Sequence, residues 1–111
     1  MEELRGLAGR LATGELSATE VARRTLERIR DAAALGAFAA VDEEAVLAQA
    51  AACDARPAQG PLHGVPIAVK DNIDVAGLPT RAGSRALPDA PAQADAEHVA
   101  RLRAAGAVIV G

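Results

Sequence analysis

The chain changes texture at Gly60, and this change limits what it can fold into. Before Gly60, apolar residues recur with helical spacing. After it come glycine, proline and β-branched residues, with two short apolar runs, Val65–Lys70 and Ala107–Val110. The order strand, long connection containing a helix, strand is that of a βαβ unit. The expected fold class is therefore α/β, with N-terminal helices over about 1–58 followed by a βαβ part over about 60–111, all within the single domain 1–111.

Within the helical part, residues 2–12 predict a short helix with Leu4, Leu7, Ala8 and Leu11 on one stripe, stopped by Gly14. Ser17-Ala18-Thr19-Glu20 matches the capping box, in which serine and glutamate satisfy each other's orphan amides. A helix of about 18–31 follows, burying Val21, Ala22, Thr25, Leu26 and Ile29. Ala37–Val41 is a short apolar link. Asp42 is expected to cap a third helix, roughly 43–55, with Ala45, Val46, Gln49, Ala52 and Cys53 on its stripe, and Pro57 ends it.

In the βαβ part, 65–70 predicts a strand, 71–77 a turn or short hairpin arm and 78–94 a proline-rich loop. Asp95 is the candidate cap of a helix over about 96–105 with Val99 and Leu102 inward. Gly106 stops that helix, and 107–110 is the second strand. Two parallel strands do not make a stable sheet by themselves, and open edges are expected on both.

Composition points the same way. Alanine makes up about a quarter of the 111 residues, and Phe38 is the one aromatic. Burying an alanine methyl is worth only about 0.8 kcal/mol, against about 1.5–3 kcal/mol for a large aliphatic side chain. The core is therefore expected to be part of a larger one. The stop at Gly111, directly after an apolar strand, reads as a cut.

Several function classes fall away. A net charge of −3 leaves no electrostatic footprint for nucleic acid. Arg23, Arg24, Arg28 and Arg30 alternate with Glu20, Glu27 and Asp31 as on a solvated helix face. No apolar run approaches the roughly 18 residues that span a membrane. The start, Met1–Arg5, lacks the pattern of a signal peptide, so a cytoplasmic protein is expected. A single cysteine, Cys53, excludes an internal disulfide and reads as a partly buried, inert thiol.

Lys70 carries the strongest chemical suggestion. Strand alternation sends Val65, Ile67 and Val69 to one face and Pro66, Ala68 and Lys70 to the other. A lysine among small apolar neighbours loses charge when desolvated, and a neutral lysine is a usable general base. The plainer alternative lays its stem on apolar surface and its head in water. A phosphate loop would need glycine directly before the lysine and serine or threonine after it, where Val69 and Asp71 stand. Asp71, Asn72 and Asp74 suit a turn with side-chain capping better than a calcium loop. His63 and His98 lack partners at metal-ligand spacing, and no metal or cofactor is expected. Ser17 is accounted for by capping, and Ser84 reads as a loop-stabilising serine.

The run Gly64-Val65-Pro66-Ile67-Ala68-Val69-Lys70-Asp71-Asn72, followed by Gly77-Leu78-Pro79-Thr80 and Ala82-Gly83-Ser84, closely resembles the first block of the amidase signature family. The resemblance extends to the Ser17–Glu20 helix, the Ala37-Phe38 link, the alanine-rich helix to Asp54, and Arg101–Gly111. It implies an incomplete piece of that family's mixed-sheet α/β/α fold, about its first quarter. It further implies that Lys70 is the base of a Ser–cis-Ser–Lys triad acting on a small-molecule amide. The family's two serines lie in a Gly-Ser-Ser-Gly-rich segment after the strand that resembles 107–110, and neither Ser17 nor Ser84 matches them. The chain is accordingly expected to hold only the lysine and to be inactive alone. The alternative is a non-catalytic module that docks on a partner completing the sheet. Arg81 departs from the pattern, where a second threonine or another small polar residue is common, and is expected to bear on loop contacts.

Overall fold

The computed structural model describes residues 3–111. Helix α1 spans Leu4–Ala12 and helix α2 spans Ala18–Asp31. The capping box at the start of α2 is formed: the Glu20 amide donates to Ser17 Oγ at 3.0 Å, and the Ser17 amide donates to Glu20 Oε2 at 3.1 Å. A 3-10 turn, Ala33–Leu35, leads into the apolar link. Helix α3 covers Glu43–Asp54, with Asp42 accepting from the Ala45 amide at 3.0 Å.

The two strands are short. β1 is Pro66–Ile67 and β2 is Val108–Ile109, paired in parallel with Pro66 opposite Val108 and Ile67 opposite Ile109. Ladder-like bonds reach beyond this pairing. Gly64 N–H donates to Gly106 O at 2.9 Å, and Val69 N–H donates to Gly111 O at 2.8 Å. Helix α4, Glu97–Ala104, lies in the connection. Its end is a Schellman motif, with Gly106 N–H on Arg103 O and Ala107 N–H on Leu102 O. Gly106 has φ +98°, and a Cβ there would fall 2.7 Å from His63 Cα, so both conformation and space require glycine.

The register sorts side chains into layers. One core joins Leu11, Val21, Leu26, Val46, Ala50 and Cys53 of the first three helices to Val108 and Val110. The second gathers Val75, Val99 and Ile109 with Ile67, Val69 and Leu102. Helices thus cover one face of the strand pair, and α4 with its loop covers the other: the expected α/β/α arrangement in miniature.

Four expectations are corrected. Leu4 is 55 % exposed rather than on the buried stripe of α1; the contact runs from Leu7 and Ala8, partly buried against the core, to the buried Leu11, and the first turn lies beyond it. The buried residues of α3 are Val46, Ala50 and Cys53, while Ala45 and Ala52 face out. Alanines surround this helix, so apolar spacing does not mark its inner side; the larger side chains do. Asp95 does not cap α4, whose N-cap is Ala96 with no side-chain bond. Asp95 instead accepts the Ala76 amide at 2.8 Å and pairs with Arg103 at 2.8 Å.

The fourth concerns sheet edges. β2 is closed at Ile109 by the Gln49 side chain, which takes the Ile109 N–H at 3.0 Å and gives its own N–H to Ile109 O at 3.0 Å. Arg103 Nη1 donates to the same Gln49 oxygen at 2.7 Å. A primary amide has both a donor and an acceptor, so it pairs with a backbone residue as a neighbouring strand would.

Candidate functional site

Lys70 follows β1 and opens the next turn, its carbonyl accepting the Ile73 amide at 3.1 Å. It is the only lysine in the chain. The expected alternation is present only in part: Val65 is buried in the first core, Val69 is half-buried against the second, Ile67 touches both, Pro66 is half-buried as well, and Ala68 and Lys70 are exposed. Residues 3–111 therefore leave the Lys70 side chain exposed.

Lys70 borders an open groove of about 490 Å³, lined among others by Phe38, Ala40, Ala68, Leu78 and Gly111. The link before α3 forms one wall and lies against Gly111, where a Cβ would stand 2.7 Å from Ala40 O and 2.8 Å from Phe38 Cδ1. The other wall is the turn after Lys70. Asp71 O accepts the Ala82 amide at 2.9 Å, and Asp71 Oδ1 accepts the Arg81 amide at 3.3 Å. Asp74 Oδ1 accepts the Thr80 hydroxyl at 2.6 Å. These carboxylates fasten a turn and its loop, as their spacing suggests.

Arg81 joins the two walls. Its guanidinium pairs with Asp89 at 2.7 Å and donates to Ala39 O at 3.5 Å. The one departure from the family pattern thus does make loop contacts, across the groove that Lys70 borders. Arg81 was recognisable in the sequence only as a departure; its partners lie 42 residues before it and 8 after it.

The other candidates lie outside this groove. Ser17 Oγ is committed to the Glu20 amide, and Ser84 Oγ accepts the Ala86 amide at 3.1 Å. Neither serine lines the groove. His98 is exposed on α4. His63 is buried near Asp54 and Cys53, bordering a separate depression. The Cys53 thiol is buried and directed to Gly106 O at 3.7 Å.

Asp54 was not singled out by sequence. Its carboxylate accepts the Ala18 amide at 2.7 Å, the Thr19 amide at 3.0 Å and the Thr19 hydroxyl at 2.6 Å. A residue at the end of α3 thereby satisfies the start of α2. Partial burial pushes its pKa up, but the Thr19 hydroxyl, the two amides and the nearby His63 outweigh this and hold it below the ordinary range.

The geometry places one lysine three residues past β1, beside an apolar groove, and comparison with known proteins gives that arrangement its context. The family model described as Amidase matches residues 20–111. The chain belongs to the Amidase family. It is 50% identical to the putative amidase AmiA2 of Mycobacterium tuberculosis over 97% of its length, covering 23% of that protein. It is likewise 50% identical to a glutamyl-tRNA(Gln) amidotransferase subunit of Cupriavidus metallidurans, covering 22% of it. Among solved structures, the peptide amidase of Stenotrophomonas maltophilia superposes with a TM-score of 0.89 at 38% identity, over 98% of this chain and 24% of that one. This amidase-family chain therefore spans about a quarter of the length of the relatives it matches. Lys70 and its whole groove fall within the matched region. Among the described residues no helix is long and apolar enough to cross a membrane.

Proposed function

We propose that Lys70 is the general base of an amide-hydrolysing site and that residues 1–111 form the N-terminal part of that amidase. The observation that supports this most is the placement of the chain's only lysine just past β1 on the rim of the apolar groove, inside the region matched by the family. In the proposed reaction neutral Lys70 accepts a proton through a bridging serine from a nucleophilic serine. The nucleophile attacks the carboxamide carbonyl, the amine leaves, and water hydrolyses the acyl-enzyme. Both serines come from polypeptide outside residues 1–111, so this chain contributes the base and one part of the pocket. The substrate class is a small-molecule carboxamide. The unpaired, buried Cys53 suits a reducing compartment, and we place the reaction in the cytoplasm.

The test is reconstitution. Residues 1–111 are joined or mixed with the part of Mycobacterium tuberculosis AmiA2 that this chain does not cover, and hydrolysis of simple aryl and aliphatic amides is followed. The expected outcome is turnover that Lys70→Ala abolishes while far-UV circular dichroism is retained. Near-normal turnover by Lys70→Ala would rule out the base assignment.

A further inference from the structure

The link and the loop that flank the Lys70 groove are joined by one side chain. Among the described residues, 37–41 make a single hydrogen bond to another part of the chain, from Arg81 Nη1 to Ala39 O at 3.5 Å. The loop is tied as sparsely. Its base is set where Pro79 faces Pro91 and Leu78 O accepts the Ala92 amide at 2.9 Å. Beyond that base, residues 83–90 have one side-chain tie outside their own turns: Asp89, which takes Arg81 Nε at 2.7 Å. The Arg81 backbone is itself anchored, its N–H on Asp71 Oδ1 at 3.3 Å, in the turn that opens with Lys70. Arg81 does not line the groove, whereas Ala39 on one wall and Leu78 and Pro79 on the other do. Its influence on the groove therefore passes through the walls it connects. A guanidinium suits this task, because its planar fork offers donors in two directions at once. The Asp89 side chain is 84 % exposed, so the tie is weak and its loss is expected to act by a small factor.

We propose that Arg81 is a positioning residue that sets the width of the Lys70 groove and thereby how bulky an amide reaches Lys70, a role that rests on the proposed function of Lys70 as base. With Arg81 in place, the link and the loop are held to each other and a slender amide enters between them. Without it neither wall has a hydrogen bond to the other, and the groove can open to a larger substrate. Arg81 is also the position at which this sequence departs from the amidase signature block. The restriction is therefore a property of this chain and not of the block it shares with its relatives.

Two measurements test this. Phe38 is the only aromatic residue of the chain and lines the same groove, so 4-fluorophenylalanine incorporated there gives a single fluorine resonance that reports on the link. In Arg81→Thr that resonance is expected to move toward the free amino acid's position, and an unchanged resonance overturns the proposal. The second measurement uses the complex with the uncovered part of Mycobacterium tuberculosis AmiA2. There Arg81→Thr should lower KM for a bulky aryl amide about threefold, the scale of an exposed ion pair, and leave kcat and KM for a short aliphatic amide as they were. Asp89→Ala, which releases the loop, should act in the same direction. Arg81→Lys keeps the charge without the fork and should recover part of the discrimination. An equal change for both amides would mean that Arg81 serves the fold alone, and overturns the proposal, as does a complex that hydrolyses neither amide. Selectivity that shifts in Arg81→Thr while the Lys70→Ala complex stays fully active would uphold the control of width and reject the base; turnover lost in Lys70→Ala with selectivity unmoved in Arg81→Thr would do the reverse.

Discussion

Asp54 shows how one side chain serves an element other than its own. Its carboxylate caps the first turn of α2 from the last turn of α3. Because the folded pKa is depressed, the bond contributes fully above the ordinary aspartate value of about 3.9 and is lost as pH falls through the lower folded value. Asp54→Ala should cost about 1 kcal/mol near neutrality, within the range measured for lost helix caps. Urea unfolding of both proteins across acidic pH checks this: the gap between them should close as Asp54 protonates. A gap independent of pH would mean the charge has no part in it. Lys70 is the opposite case, exposed in this chain and dependent on what covers it.

At the scale of elements, signals carried within a few residues were legible and those carried across the fold were not. The capping box at Ser17, the cap at Asp42 and the glycine stop at Gly106 are local, and each is present as its spacing suggests. Asp95 looked like another cap because it precedes a helix; its bonds go to Ala76 and Arg103, 19 and 8 residues away. Gln49 looked like one member of a helix stripe, and its role depends on Ile109, 60 residues on. Gln49→Leu should leave both backbone groups of Ile109 without partners, costing about 2 kcal/mol or more. Gln49→Glu keeps the acceptor for Ile109 N–H and Arg103 and should cost less. Urea unfolding ranks the two, and equal losses would count against pairing through both amide groups. Sedimentation should also show Gln49→Leu self-associating through the reopened β2 edge.

At the scale of the molecule, the chain is less compact than its length allows. Its radius of gyration is 14.1 Å, against about 13 Å expected for a compact domain of this size. The proline-rich loop is exposed over residues 82–91, and Leu35 and Leu87 face solvent. The largest fully buried side chains are Leu26 and four valines, as a quarter-alanine chain with one aromatic would suggest. Residues 1–111 alone should therefore show no amide hydrolysis above the buffer rate, since neither serine of the chain borders the Lys70 groove. A sensitive aryl-amide assay checks this, and turnover by the isolated chain would show that its nucleophile is already present.

The amino-acid order by itself determined the succession of helices and strands, the caps, the turn after Lys70 and the kinship carried by the Gly64–Asn72 block. Each of these is written in neighbouring residues, where backbone preference and short-range hydrogen bonds act. Only the tertiary structure decided which strand edge is closed, which side of the alanine-rich α3 faces inward, and that Arg81 spans the Lys70 groove. It also left Lys70 in water. These outcomes rest on groups brought together over 40 to 60 residues, where spacing along the chain carries no information about distance in space.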